Sequence, residues 1–114
     1  MMKRWKLYKE DRFLLEVGVA DSYFLRLRGL IGRDVVSLGG LLIKPCNQIH
    51  TFHMAYPIDV VYLSKDYEVV KIDPAVPRNK ICKTVKAAKM TLELPAATAR
   101  ETYGLLEGDQ LTIR

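Results

Sequence analysis

Ile58-Asp59-Val60-Val61-Tyr62-Leu63, together with the stretch that runs on through Ile72, decides the fold. Valine, isoleucine and tyrosine favour extended backbone, because branched and aromatic side chains pack well on a pleated surface. Ser64 to Asp66 is polar and turn-forming, and Tyr67 to Ile72 is again rich in β-favouring residues, so the two runs predict an antiparallel hairpin. The same pattern recurs on either side. Leu41 to Ile43 reads as a buried strand closed by Pro45, Ile49 to Met54 as another, Met90 to Leu94 as an alternating strand and Leu111 to Ile113 as the last. At the amino end, Trp5, Leu7 and Lys9 alternate with polar neighbours. Glu10-Asp11 then turns the chain and Phe13 to Val19 returns as the second strand of a hairpin. Asp73 to Asn79, with Pro74 and Pro77, predicts a loop, and Lys80 to Lys89 a loop or a helical turn.

Two helical segments interrupt the strands. Asp21 or Ser22 can cap the first by accepting a backbone N–H bond. Tyr23, Leu27, Leu30 and Ile31 fall three and four apart, which predicts one apolar stripe ended by Gly32. Pro95 opens the second, which runs through Thr102 and stops at Gly104. Long crossover helices are missing, which argues against parallel α/β winding. The expected fold is therefore mainly β: a small β-sandwich or barrel-like domain with two short helices, and 1–114 as a single domain.

The 114 residues suffice for one core, and a hydrophobic share of 49% against 27% charged excludes disorder. Charges at Lys3, Arg4, Lys6 and Lys9 break up any apolar signal run, and no membrane-length apolar stretch follows, so a cytoplasmic protein is expected. Cys46 and Cys82 are then expected as reduced thiols. The formal net charge is +5. Its excess gathers at residues 3–12 and 78–89. Such clusters can bind nucleic acid, which is one alternative function through the 78–89 segment. That segment has no interleaved aromatics for base stacking, so a solvated basic surface is favoured.

The segment 46–59 carries the densest polar cluster, set in otherwise apolar sequence, and both histidines lie in it. Three chemistries compete there. His50, His53 and Asp59 have metal-ligating atoms, but positions three apart on a strand face opposite ways, so no metal and no cofactor is expected. A small hydrolase or transferase using His50 with Asp59 or Cys46 is a second alternative function. No nucleophile-elbow motif accompanies it. The favoured reading is a non-enzymatic binding or interaction module. Arg28, Asn47, His50, Thr51 and Asp59 would receive a small polar or anionic ligand or a peptide segment, with Arg33 adding positive charge. Asp59 lies within an apolar strand, so if buried it requires partners: Arg28, Thr51 or backbone N–H groups. Tyr56-Pro57 is a candidate cis bond.

The sequence resembles the domain-of-unknown-function family numbered 192. The resemblance rests on Arg28-Gly29-Leu30, Gly40-Leu41-Leu42, the run His50-Thr51-x-x-Met54-x-x-Pro57-Ile58-Asp59-Val60-Val61-Tyr62-Leu63, Leu92-Glu93-Leu94-Pro95-Ala96 and Gly108-Asp109. It extends from about Ala20 onward. It implies a compact β-sandwich or barrel-like fold with small helices, and no established activity, substrate or cofactor. Many relatives look exported, which does not carry over to a chain without a signal run. Ala97 and Tyr67 stand where the family often has glycine. That implies an altered start to the second helix and a different turn in the central hairpin.

Overall fold

The computed structural model describes residues 2–52 and 54–114. The amino-terminal hairpin forms as its alternation dictates, with β1 (Lys3–Lys9) antiparallel to β2 (Arg12–Ala20). Glu10 makes the turn with φ 57°. The central hairpin joins β4 (Ile58–Leu63) to β5 (Val69–Val76). β3 (Leu41–Ile43) runs parallel to β2 and antiparallel to β6 (Met90–Pro95), which also pairs with β4. β7 (Leu111–Ile113) pairs with β1. The result is one seven-stranded sheet in the order β5-β4-β6-β3-β2-β1-β7.

This sheet curls until its outer strands approach each other. Glu68 bridges Gln110, Val69 N–H donates to Asp109 O at 2.8 Å and Leu111 N–H donates to Tyr67 O at 3.0 Å. The fold is a half-barrel, mainly β, and the central strands are buried on both faces. Alternation along each strand then builds two cores. Asp59, Val61 and Leu63 share a face with Leu92 and Leu94, and the apolar members of that face join a core fed by all seven strands. Ile58, Val60 and Tyr62 face the other way and pack with Leu41 and Ile43 beneath helices and loops.

The described residues form three short helices rather than two. α1 (Tyr23–Arg28) is capped by Ser22, whose hydroxyl accepts from Leu25 N–H at 3.2 Å. It ends at Gly29, at φ 54°, and not at Gly32. The early stop redirects the chain, so the expected stripe fails: Leu27 is 66% exposed and Ile31 sits at the surface, while Leu30 is buried. The side chain of Tyr23 lies outside the described residues. α2 (Val35–Leu38) was not foreseen; Asp34 caps it by accepting from Val36 N–H. α3 (Thr98–Glu101) begins after Ala97, because Pro95 still belongs to β6.

Further corrections concern the loops. The described residues of the 49–54 segment form no strand; His50 makes an isolated bridge to Ile81. The 47–51 backbone instead zips onto 80–85, with Thr51 N–H donating to Lys80 O at 2.8 Å and Val85 N–H to Asn47 O at 2.9 Å. β5 continues through Asp73 to Val76 where a loop was expected. Pro74 is tolerated there because β5 is an edge strand, which has no further ladder bond to lose. The cis peptide bond is Lys44–Pro45, not Tyr56–Pro57. Tyr67 and Ala97 adopt φ 67° and 71°. Both hold the left-handed backbone that favours glycine, here in residues that carry a side chain.

Candidate functional site: a cleft over a buried glutamate

Two acidic residues lie inside the sheet on adjacent strands. Asp59 is opposite Leu94 and Glu93 opposite Val60, which puts their side chains on opposite faces.

Asp59 is 1% exposed and fully engaged. Its Oδ1 accepts from Ala75 N–H at 2.7 Å and Ala97 N–H at 2.9 Å, and its Oδ2 from Ala99 N–H at 2.9 Å. The backbone was the correct choice among the partners expected for it. One carboxylate thus ties the end of β5 and the first turn of α3 to β4. It also lets Ala97 hold its strained backbone, since its amide is fixed by a charge-assisted bond. Thr51 is equally buried and equally consumed: its hydroxyl donates to Pro77 O at 2.6 Å and accepts from Lys80 N–H at 2.8 Å.

Glu93 is the opposite case. It is 4% exposed, yet no hydrogen bond or ion pair reaches it among the described residues. Burial, with no compensating cation, pushes its carboxyl up to about 8. Above it lies a cleft of about 340 Å³ between the α1–Ile31 segment and the 45–50 loop. A side chain at Gly29 would place its Cβ 3.9 Å from Glu93 Oε1. At that position glycine supplies both the positive φ and an open approach to the acid. Arg26 also lines the cleft, and its Nε is buried with no hydrogen-bond partner.

Of the expected site residues, Arg28, Asn47 and His50 line this cleft, and Thr51 and Asp59 do not. Arg28 is exposed and its Nε donates to Ile31 O at 3.0 Å. It therefore braces the turn after α1 and does not pair with Asp59. Arg33 lies away from the cleft; its Nη1 donates to Gly29 O at 3.4 Å. His50 is exposed, with its ring 5.5 Å from that of Phe52, which also lines the cleft. Neither catalytic pairing forms: the Asp59 carboxylate is spent on amides, and Cys46 Sγ donates to Gln48 O at 3.2 Å. Burial pushes the Cys82 thiol up, away from thiolate character. His53 lies outside the described residues, and among the described residues no three metal-ligating side chains cluster. Arg78, Lys80, Lys83, Lys86 and Lys89 are exposed on a loop outside the cleft.

Sequence reasoning missed Glu93 and Arg26. The signal was available for Glu93, an acid at the centre of an apolar alternating strand, as Asp59 is. Arg26 gave none, since an arginine on a short helix is ordinary.

A half-barrel with two buried carboxylates, one tied into the backbone and one beneath an open cleft, defines a small mainly β scaffold with a recessed polar site. No curated protein matches the chain. It matches the DUF192 family (Uncharacterized ACR) over residues 6–113. The protein therefore belongs to the DUF192 family. Among solved structures it is similar to a putative transcription regulator from Sinorhizobium meliloti 1021, at 23% identity and TM-score 0.80, covering 99% of this chain and 94% of that one. It is also similar to a protein of unknown function from Novosphingobium aromaticivorans DSM 12444, at 14% identity and TM-score 0.79, covering 97% and 84%. These likenesses establish the fold. No helix among the described residues is long and apolar enough to cross a membrane.

Proposed function

We propose that the protein is a non-enzymatic binding module whose cleft between α1 and the 45–50 loop holds a small polar ligand. One observation carries this reading: two polar groups, the buried Glu93 carboxyl and Arg26 Nε, line one 340 Å³ cavity and have no partner among the described residues. Unpaired buried polar groups are costly, and folds retain few of them. A ligand that bonds both would recover that cost as binding energy. The cavity lies at the small end of the size range of ligand sites, and charged and polar side chains share its lining with apolar ones. Arg28, Asn47 and His50 stand around it as orienting groups. A reducing, cytoplasmic setting belongs to the same proposal, in line with the two free thiols, Cys46 and Cys82.

The test is a chemical-shift titration of isotope-labelled protein with small carboxylates, amines, phosphates and saccharides. Saturable shifts confined to Arg26, Gly29, His50 and Glu93, lost in Glu93→Leu, are expected. Shifts confined to the 78–89 loop on adding oligonucleotide, with the cleft silent to every small molecule, would replace this reading with nucleic-acid binding.

A further inference from the structure

The two unpaired groups in the cleft differ in sign. Glu93 is a buried acid that lines the cleft, and Arg26 is a cation whose Nε–H is buried without a partner among the described residues. They share one cavity, yet no ion pair joins them. A ligand that satisfies both must bring a hydrogen-bond donor to one point and an acceptor to another. Resting on the proposed cleft, we infer that its ligand is a small zwitterion, a free amino acid, with its ammonium on the Glu93 carboxylate and its carboxylate on the Arg26 guanidinium.

Several observations favour this class over others. A purely anionic ligand would satisfy Arg26 and leave Glu93 unpaired. A saccharide presents hydroxyls on all sides, each needing a partner, whereas the deep polarity here is concentrated at two points. Leu27, Ile31, Phe52 and Met54 give the cleft apolar surface for an aliphatic side chain. Guanidinium–carboxylate and ammonium–carboxylate pairs are charge-assisted, and each strengthens where water is excluded. Once Glu93 has given up its proton, a bound zwitterion leaves two matched ion pairs, so no uncompensated charge is buried.

The inference has a signature that other ligand classes lack. In the empty cleft at neutral pH, burial keeps the Glu93 carboxyl mostly protonated. An incoming ammonium favours the carboxylate, so Glu93 releases its proton to the buffer while the ammonium keeps its own. A hydroxyl ligand requires no such release. The groups facing Glu93 are Arg26 and Arg28 from α1 and His50 and Cys46 from the loop. Tyr56 and Cys82 lie near enough to feel its charge. Burial raises both, so each stays neutral and neither supplies the missing cation.

The experiment is calorimetry at pH 7 in buffers of differing ionisation heat. The probes are α-amino acids with aliphatic side chains, an ω-amino acid, the matching hydroxy acids and N-acetyl derivatives, and neutral saccharides. Amino acids are expected to bind with release of most of one proton. The N-acetyl and hydroxy analogues should bind at least tenfold more weakly and release none. Glu93→Gln should abolish the release, and His50→Gln should leave it intact. The α and ω probes report the spacing between the two anchor points. Hydroxy acids or saccharides binding as tightly as amino acids, without proton release, would overturn the zwitterion and leave the cleft proposal standing. Silence from every probe would overturn both.

Discussion

Asp59 and Glu93 sit on neighbouring strands, and both are withdrawn from water, but the chain treats them in opposite ways. Three backbone amides converge on Asp59 from β5 and the start of α3, so its charge is solvated by the fold itself. On the other face of the same strands, Glu93 meets no donor, and Gly29 leaves the space above it open. The contrast teaches that burial alone does not mark an acid as structural or functional. What separates the two is whether the protein supplies the partners. An acid whose partners are built in works as a rivet. An acid without them carries a cost at neutral pH, which a ligand that brings the missing partner would remove.

The contrast can be broken from either side. Replacing Asp59 with Asn has the largest expected effect. The amide nitrogen would face the Ala99 or the Ala75 and Ala97 N–H groups, donor against donor. We expect a loss of roughly 3–5 kcal/mol, read by urea denaturation, since one or two buried donors face another donor and the remaining bonds lose their charge assistance. A loss below about 1 kcal/mol would show that the rivet is not one.

Glu93→Gln should do the reverse, and its effect depends on pH. The folded protein holds the Glu93 proton up to about 8. The unfolded chain releases it near the ordinary carboxylate value of about 4.3. Between those values the native state binds more protons than the unfolded state, so stability falls as pH rises. The cost is absent below the unfolded value and complete above the folded one. At about 1.4 kcal/mol per unit, the window spans a few kcal/mol. The Gln variant should therefore match the parent near pH 4, exceed it by a few kcal/mol at pH 8 and lack the Glu93 part of the slope. Parallel stability profiles for the two proteins across that window would remove Glu93 as the unpaired partner in the comparison.

Two smaller changes sharpen the picture. Thr51→Val orphans Lys80 N–H and Pro77 O and should cost roughly 1–3 kcal/mol in thermal or urea unfolding, while leaving ligand binding in the cleft untouched. Weakened binding instead would place Thr51 in the site. Ala97→Gly removes a side chain from a residue at φ 71°. It should stabilise by about 0.5–1 kcal/mol, the strain relieved outweighing the added freedom of the unfolded chain. A destabilised variant would mean that the Ala97 Cβ contributes packing beyond its backbone strain.

Much of the fold was legible because it is written in local patterns. The β4–β5 hairpin, the amino-terminal hairpin and β6 follow from branched and aromatic runs bounded by turn residues. The 49–54 segment misled for a physical reason. Its apolar residues look like strand, but Thr51 and Asn47 spend their backbone groups on the 80–85 loop, a long-range pairing that no local pattern reveals. The first helix stopped early because Gly29 sits at positive φ, and two glycines in one turn, Gly29 and Gly32, offered equally good stops. Part of the site was visible for a similar reason. His50 and Asn47 were noticed as polar residues in apolar sequence, and so was Asp59, which turned out to belong to the opposite face. Glu93 carried the same mark, and only its neighbours in space, Gly29 and Arg26, separate it from Asp59.

The most direct test is the titration of the Glu93 carboxyl, followed through its side-chain carbon resonance in selectively labelled protein without added ligand. The cleft account predicts a midpoint near 8, set by burial without a partner. A midpoint in the ordinary carboxylate range, about 4–5, would mean that water or a protein group already solvates the charge, and the cleft would have no unmet demand for a ligand to fill.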